Sequence, residues 1–266
     1  MLLGLTNFAF SQSELSVFPK RAIFDNNDKR SQIFTLTNAS DKVLKYEMSF
    51  INFKMDENGG FKKIDSTEEG LNFASDFLRF YPRNVVLNPK ESQVVKVSFR
   101  KRSDMKIGEY RSHFYIRSVP LNNIVSKKIE EKSSGIAINL EPAFGFSLPL
   151  IVRVGKLEPL AKIVNINYER KNDSLSEINF QIKRNGLSSV YGNIEVNYIN
   201  AKKKKILLGK LQGIAVYTPL EKRFCNIILM HDNKEVDLKN GKILITYTSL
   251  ESKTRDQIIS EEFYSE

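Results

Sequence analysis

Residues suited to chemistry are few in this chain: a single cysteine, Cys225, and two histidines, His113 and His231. A Ser-His-Asp or Cys-His centre would need one of those histidines as its base. His113 is opposite in strand parity to Phe114, which predicts an outward-facing ring. His231 precedes Asp232 and Asn233, a turn composition. Cys225 lies between Phe224 and the apolar run 227–230, where a small buried thiol is expected rather than a nucleophile. One cysteine also rules out an internal disulfide. No ligand spacing surrounds either histidine, and the acidic turn at 25–28 lacks the glycine and downstream glutamate of a calcium loop. The motifs G-x-x-x-x-G-K-[ST], G-x-G-x-x-G, H-E-x-x-H and G-x-S-x-G are all absent. The 31 acidic residues form no cluster that stands out. The expectation is a protein that is not an enzyme, with no catalytic residues, no metal and no cofactor.

The charge balance permits an acidic partner, since the net charge is +10. Its lysines and arginines are scattered over strand faces and turns rather than gathered on a helix. The run Lys202, Lys203, Lys204, Lys205 has the composition of an exposed hairpin tip. A solvated basic surface is therefore expected, not a nucleic-acid footprint, which would need aromatic residues interleaved with the charge on one open face.

With no enzymatic centre, the organising stretch is residues 135–153, GIAINLEPAFGFSLPLIVR. Ile136, Ile138, Leu140, Phe144, Phe146, Leu148 and Leu150 share one parity, against Ala137, Asn139, Glu141, Ala143, Gly145 and Ser147 on the other. That alternation predicts one strand with an oily face, about three times the usual five or six residues. An edge of that length recruits other chains unless it is covered. Alternating segments precede it at 15–24, 31–38, 43–53, 92–100 and 108–119. Residues 77–87 are broken by Pro82, and 56–72 read as loop. About seven strands without a helical period predict an immunoglobulin-like sandwich. Residues 154–159, VGKLEP, form a short hinge. A second strand series follows at 162–168, 177–184, 192–199, 206–208, 214–217, 223–230 and 242–248, with a final edge at 255–262.

The fold class expected is all-β, with two immunoglobulin-like sandwiches joined by a short hinge. Residues 1–11 resemble a signal-peptide remnant, apolar from Leu2 to Phe10 but without a basic start. Residues 12–154 form the first domain with the long strand, and 155–266 the smaller second one. No segment reaches the roughly 20 apolar residues that span a bilayer, so an exported, non-inserted protein is expected.

The order of these features resembles the PapD-like family of periplasmic pilus chaperones. The resemblance rests on the run Arg21 to Asp25 (RAIFD), the strand ending Thr37-Asn38, the segment 80–89 (FYPRNVVLNP), the segment 93–97 (QVVKV) and the strand end 113–120 (HFYIRSVP). The long strand and, in the second half, 189–192 (SVYG) and 241–247 (GKILITY) complete it. It implies that the strand is lent to a pilus or fimbrial subunit whose own sandwich lacks one, by strand addition. Ile136, Ile138, Leu140, Phe144, Phe146 and Leu148 would fill the subunit's groove, and an outer-membrane usher would receive the complex. Arg21 matches a family arginine that grips the subunit's terminal carboxylate. The family's second basic residue, a lysine, has no counterpart around Ser147, Leu148 and Pro149, so another cation such as Arg83 would have to substitute. Arg153 resembles an arginine of the family's interdomain ion pair, with Glu109 as its expected partner. The localisation implied is the periplasm. Partners other than subunits and usher are not expected, save self-association through the exposed strand. A secreted structural or adhesive protein of two immunoglobulin-like domains is the alternative.

Overall fold

The alternating residues 15–24 form two strands, not one. In the computed structural model, which describes residues 14–25, 30–121, 143–172, 175–230, 241–251 and 258–263, β1 (Leu15–Phe18) and β2 (Ala22–Asp25) belong to different sheets. Pro19 has no N–H to continue a ladder, so the chain leaves one sheet there and enters the other. Eight further strands follow: β3 (Ser31–Asn38), β4 (Leu44–Met55), β5 (Phe61–Ile64), β6 (Leu78–Tyr81), β7 (Asn84–Leu87), β8 (Ser92–Phe99), β9 (Gly108–Val119) and β10 (Gly145–Val154). Among the described residues the one helical element is a single 3-10 turn at Ser75–Phe77. Among the described residues no helix is long and apolar enough to cross a membrane.

The chain divides into two compact units. The first takes the described residues of Met1–Ile51, Phe73–Asp104 and Arg111–Val152. One sheet has the order β1-β3-β8-β6; the other runs β2-β10-β9-β4-β5, with β7 also pairing β4. Both orders are those of an immunoglobulin sandwich, whose first, second, fourth and fifth strands face the rest. Alternation explains the packing: Phe34, Leu36, Val95 and Val97 turn inward from one sheet, Tyr46, Met48, Phe114 and Ile116 from the other. Phe34 and Phe80 meet Phe114 across the core at centroid distances of 5.4 and 5.2 Å. Asn38, fully buried at the end of β3, is satisfied there. Its amide donates to the carbonyls of Lys42 (2.7 Å), Leu87 (3.1 Å) and Asn88 (3.0 Å), and its Oδ1 accepts from Ser40 N–H (2.9 Å).

The second unit comprises Asn52–Asn72, Met105–Tyr110 and the described residues of Arg153–Glu266. Its strands are β11 (Leu160–Arg170), β12 (Leu175–Asn185), β13 (Val190–Asn200), β14 (Lys205–Val216), β15 (Lys222–Met230), β16 (Gly241–Ser249) and β17 (Ile258–Phe263). They form sheets of order β11-β12-β15 and β14-β13-β16-β17. Ile178, Phe180, Ile182 and Leu229 from the first meet Ile194, Val196, Tyr198, Ile243 and Tyr247 from the second in one core, which makes this unit a second sandwich. Residues 206–208 and 214–217 are one continuous strand, β14; the register shifts that accommodate its glycines leave the pairing with β13 intact.

Residues 56–72, expected as loop, contain β5. The β4–β5 hairpin turns on Asp56, whose Oδ1 accepts from the N–H groups of Asn58 (2.9 Å) and Gly60 (2.8 Å). The tip belongs to the second unit: Phe224 N–H donates to Glu57 carbonyl at 2.7 Å, and the Phe61 ring lies tilted against that of Tyr217 with centroids 6.1 Å apart. Nearby, Arg184 gathers two turns. Its guanidinium donates to the carbonyls of Leu220 (2.9 Å), Gly186 (2.5 Å) and Ser188 (3.1 Å).

Candidate functional site

Burial changes along β10. Leu148, Leu150, Ile151, Val152 and Val154 are buried, Phe146 is half-buried, and Phe144, just before the strand, is 57% exposed. Exposing so large a ring forgoes about 2 kcal/mol of burial free energy. The ring's backbone is nonetheless held. Ser118 N–H donates to Phe144 carbonyl and Phe144 N–H to Ser118 Oγ, each at 2.8 Å. Between the two phenylalanines, Gly145 has a chain-packing reason: a Cβ there would lie 2.6 Å from the Tyr115 ring. Ile136, Ile138 and Leu140 lie outside the described residues, as do residues 1–13 with the expected signal remnant.

On the sheet containing β10, basic groups gather. Arg21 stands immediately before β2, half-buried, while Lys20 beside it is exposed. Arg111 and His113 share a parity on β9 and are both buried. The outward ring expected for His113 is therefore wrong, because Gly108 to Phe114 of β9 is buried on both faces. Burial, and then the charges of Arg111 and Arg21, push the His113 pKa down to about 3, so its imidazole is neutral at ordinary pH. Arg83 is exposed in the turn between β6 and β7, where its carbonyl accepts from Met48 N–H.

Two residues before Arg111, the chemistry reverses. Arg153 Nε donates to Glu109 Oε2 at 3.1 Å, and its Nη2 to Glu251 Oε2 at 2.5 Å and Ser189 carbonyl at 3.3 Å. Glu109 Oε2 also accepts from Ser189 N–H (3.0 Å) and Ser189 Oγ (2.9 Å). The Glu109 side chain is wholly buried, and those of Arg153 and Glu251 are partly exposed, at 18% and 9%. Burial opposes the arginine's charge, yet Glu109 and Glu251 together hold its pKa above the ordinary value.

The structure thus brings Arg153 to Glu109 and Arg21 to the neighbourhood of His113. Sequence reasoning missed Arg111 and Glu251. Arg111 was findable, since it shares strand parity with Glu109 and His113; Glu251 follows the end of β16 and carries no periodic signal. Cys225 is buried, and burial raises its thiol to about 11 against the opposing pull of Arg223, which makes it a poor nucleophile. Among the described residues no His, Cys, Asp and Glu group could hold a metal ion.

No family model matches the chain, and no curated protein does. Among solved structures it is similar to the class 5 fimbriae chaperone CfaA, with 11% identity, 95% of this chain and 100% of that one covered, and a TM-score of 0.47. It is also similar to the Pseudomonas aeruginosa CupB2 chaperone (12% identity, 94% and 100% covered, TM-score 0.45) and the E. coli chaperone DraB (9%, 95% and 95%, 0.45).

Proposed function

We propose that this protein is a periplasmic chaperone that caps pilus or fimbrial subunits by lending them a strand and passes them to an outer-membrane usher. The observation that carries this reading is the exposed apolar approach to β10, with Phe144 in solvent just before the strand while its far end lies in the core. Among the described residues β2 has four residues against the ten of β10, and a subunit strand would take the remainder of that backbone edge. A subunit lacking one strand supplies the complementary edge and groove, which would cover Ile136, Ile138, Leu140, Phe144 and Phe146. Leu148 is already buried within its own unit and contributes least. Residues 12–154 would then be the subunit-binding domain and 155–266 the supporting one.

Arg21 anchors the subunit's terminal carboxylate, and Arg111 supplies the second positive charge that the missing lysine would have given. A bidentate guanidinium–carboxylate pair is among the stronger polar contacts available. Neutral His113 between two arginines adds no competing charge. Arrival of a carboxylate would relieve the repulsion and raise the histidine's pKa.

Tagged wild-type protein recovered from the periplasm is compared with Arg21→Ala, Arg111→Leu and Leu140→Asp/Phe144→Asp. Small all-β subunits lacking a strand should accompany the wild type and be lost with the double variant. Either arginine variant should weaken capture. Folded variants that bring down the same partners would sink strand donation and favour a structural or adhesive protein.

A further inference from the structure

The outer face of the β11-β12-β15 sheet carries side-chain amides in register. Asn167 pairs with Asn179, and Asn179 with Asn226; in the next row Gln181 pairs with Phe224. Part of this array is already fixed. Asn226 donates to Asn179 Oδ1 at 2.7 Å, and both amides donate to Glu177 Oε1. The Asn179 bond first, then the Lys171 ammonium at 3.4 Å and the Asn226 bond, hold the Glu177 carboxyl below the ordinary range against the opposing effect of burial.

Beside the fixed row lies a groove of about 540 Å³ whose walls include Asn58, Asn165, Asn179, Gln181, Phe224 and Asn226. That size falls within the roughly 300–1,000 Å³ of small-molecule sites. Asn165 enters it from a bulge in β11, at φ +55°, and Asn58 from the tip of the β4–β5 hairpin. Among the described residues, the side chains of Asn58, Asn165 and Gln181 make no hydrogen bond. Each keeps two donors and an acceptor for a ligand. Phe224 is 41% exposed, its ring approached by Lys222 Nζ at 5.5 Å.

We propose that this groove binds a neutral saccharide. Among the described residues the groove walls carry no ionisable group but the buried, un-ionised Cys225, and Lys222 beside Phe224 is paired with Glu57 at 3.5 Å, which favours a neutral ligand. Vicinal hydroxyls are donors and acceptors at once, which is what unfilled amides offer. The rim of Phe224 gives an apolar surface for the C–H face of a sugar ring. A peptide would instead seek an open backbone edge, and these groups stand on a sheet face. Strand-borne amides tied to Glu177 are also preorganised, which lowers the ordering cost of binding. The site is independent of the donor strand.

The test uses the full-length protein and calorimetric titration with maltotriose, cellotriose and the N-acetylglucosamine trimer, with trigalacturonate as the charged control. At least one neutral trisaccharide should bind. Asn165→Gly, which keeps a backbone conformation glycine tolerates, and Gln181→Ala should each weaken it by about tenfold or more. Arg21→Ala should bind it like the wild type, which separates this site from subunit capture. No heat with any neutral sugar up to roughly 10 mM overturns the proposal, as does equal binding by both groove variants or preference for trigalacturonate.

Discussion

Glu109 and Arg111 stand two residues apart on one strand, and their surroundings are opposite in kind. Glu109 is closed into a knot of opposite charges, in which it shares the Arg153 guanidinium with Glu251 and accepts from Ser189. Arg111 shares its surroundings with Arg21 and His113, and the histidine accommodates them by giving up its proton. The difference teaches that neighbouring positions of one strand can meet opposite electrostatic surroundings. Opposite charges in hydrogen-bond contact hold each other ionised, whereas neighbouring cations disfavour a further proton on the histidine.

The largest effect expected comes from opening the knot. Arg153→Ala leaves a wholly buried carboxylate uncompensated and should cost about 3–5 kcal/mol in denaturant unfolding. Adding Glu109→Gln should recover part of that loss; a strictly additive double variant would mean the pair is uncoupled. Next comes pH. The folded chain keeps His113 neutral down to about pH 3, while the unfolded chain takes a proton near 6.5. The unfolded state therefore binds more protons across that window, and stability falls as the pH drops through it. From pH 6.5 to 5 the loss should be about 1.6 kcal/mol and be absent in His113→Gln.

A sharper probe of the same side is Arg111→Leu, which removes one cation but leaves the histidine buried. NMR titration should show the His113 pKa rising above about 3 yet staying below 6.5, because burial is the larger cause. An unmoved value would break the comparison. Smallest is Phe144→Ser, which should change stability by no more than about 0.5 kcal/mol, since the ring is exposed. Leu150→Ala, within β10, should by contrast cost about 2–5 kcal/mol.

Much of this architecture is readable from alternation alone. The strands at Ser31–Asn38 and Gly108–Val119 have the bounds their periodicity predicts. Alternation fails where its premise fails. β5 (FKKI) has no buried face, so no period marks it. β14 carries Gly209 and Gly213, which read as breaks, yet it bulges and continues. His113 escaped because parity assumes that one strand face meets water, and β9 near Arg111 is covered on both. Arg153 and Glu109 were legible as partners through resemblance, whereas Glu251 enters the knot from beyond a strand end where no spacing rule reaches.

Arg184 binds the carbonyls of Gly186 and Ser188 on one side and Leu220 on the other. Two stretches of chain more than thirty residues apart are thereby tied to one guanidinium. Their amide protons should exchange with solvent together rather than independently, since freeing either turn requires releasing the same side chain. A lysine, with one nitrogen in place of the planar fork, would split that shared clock into two.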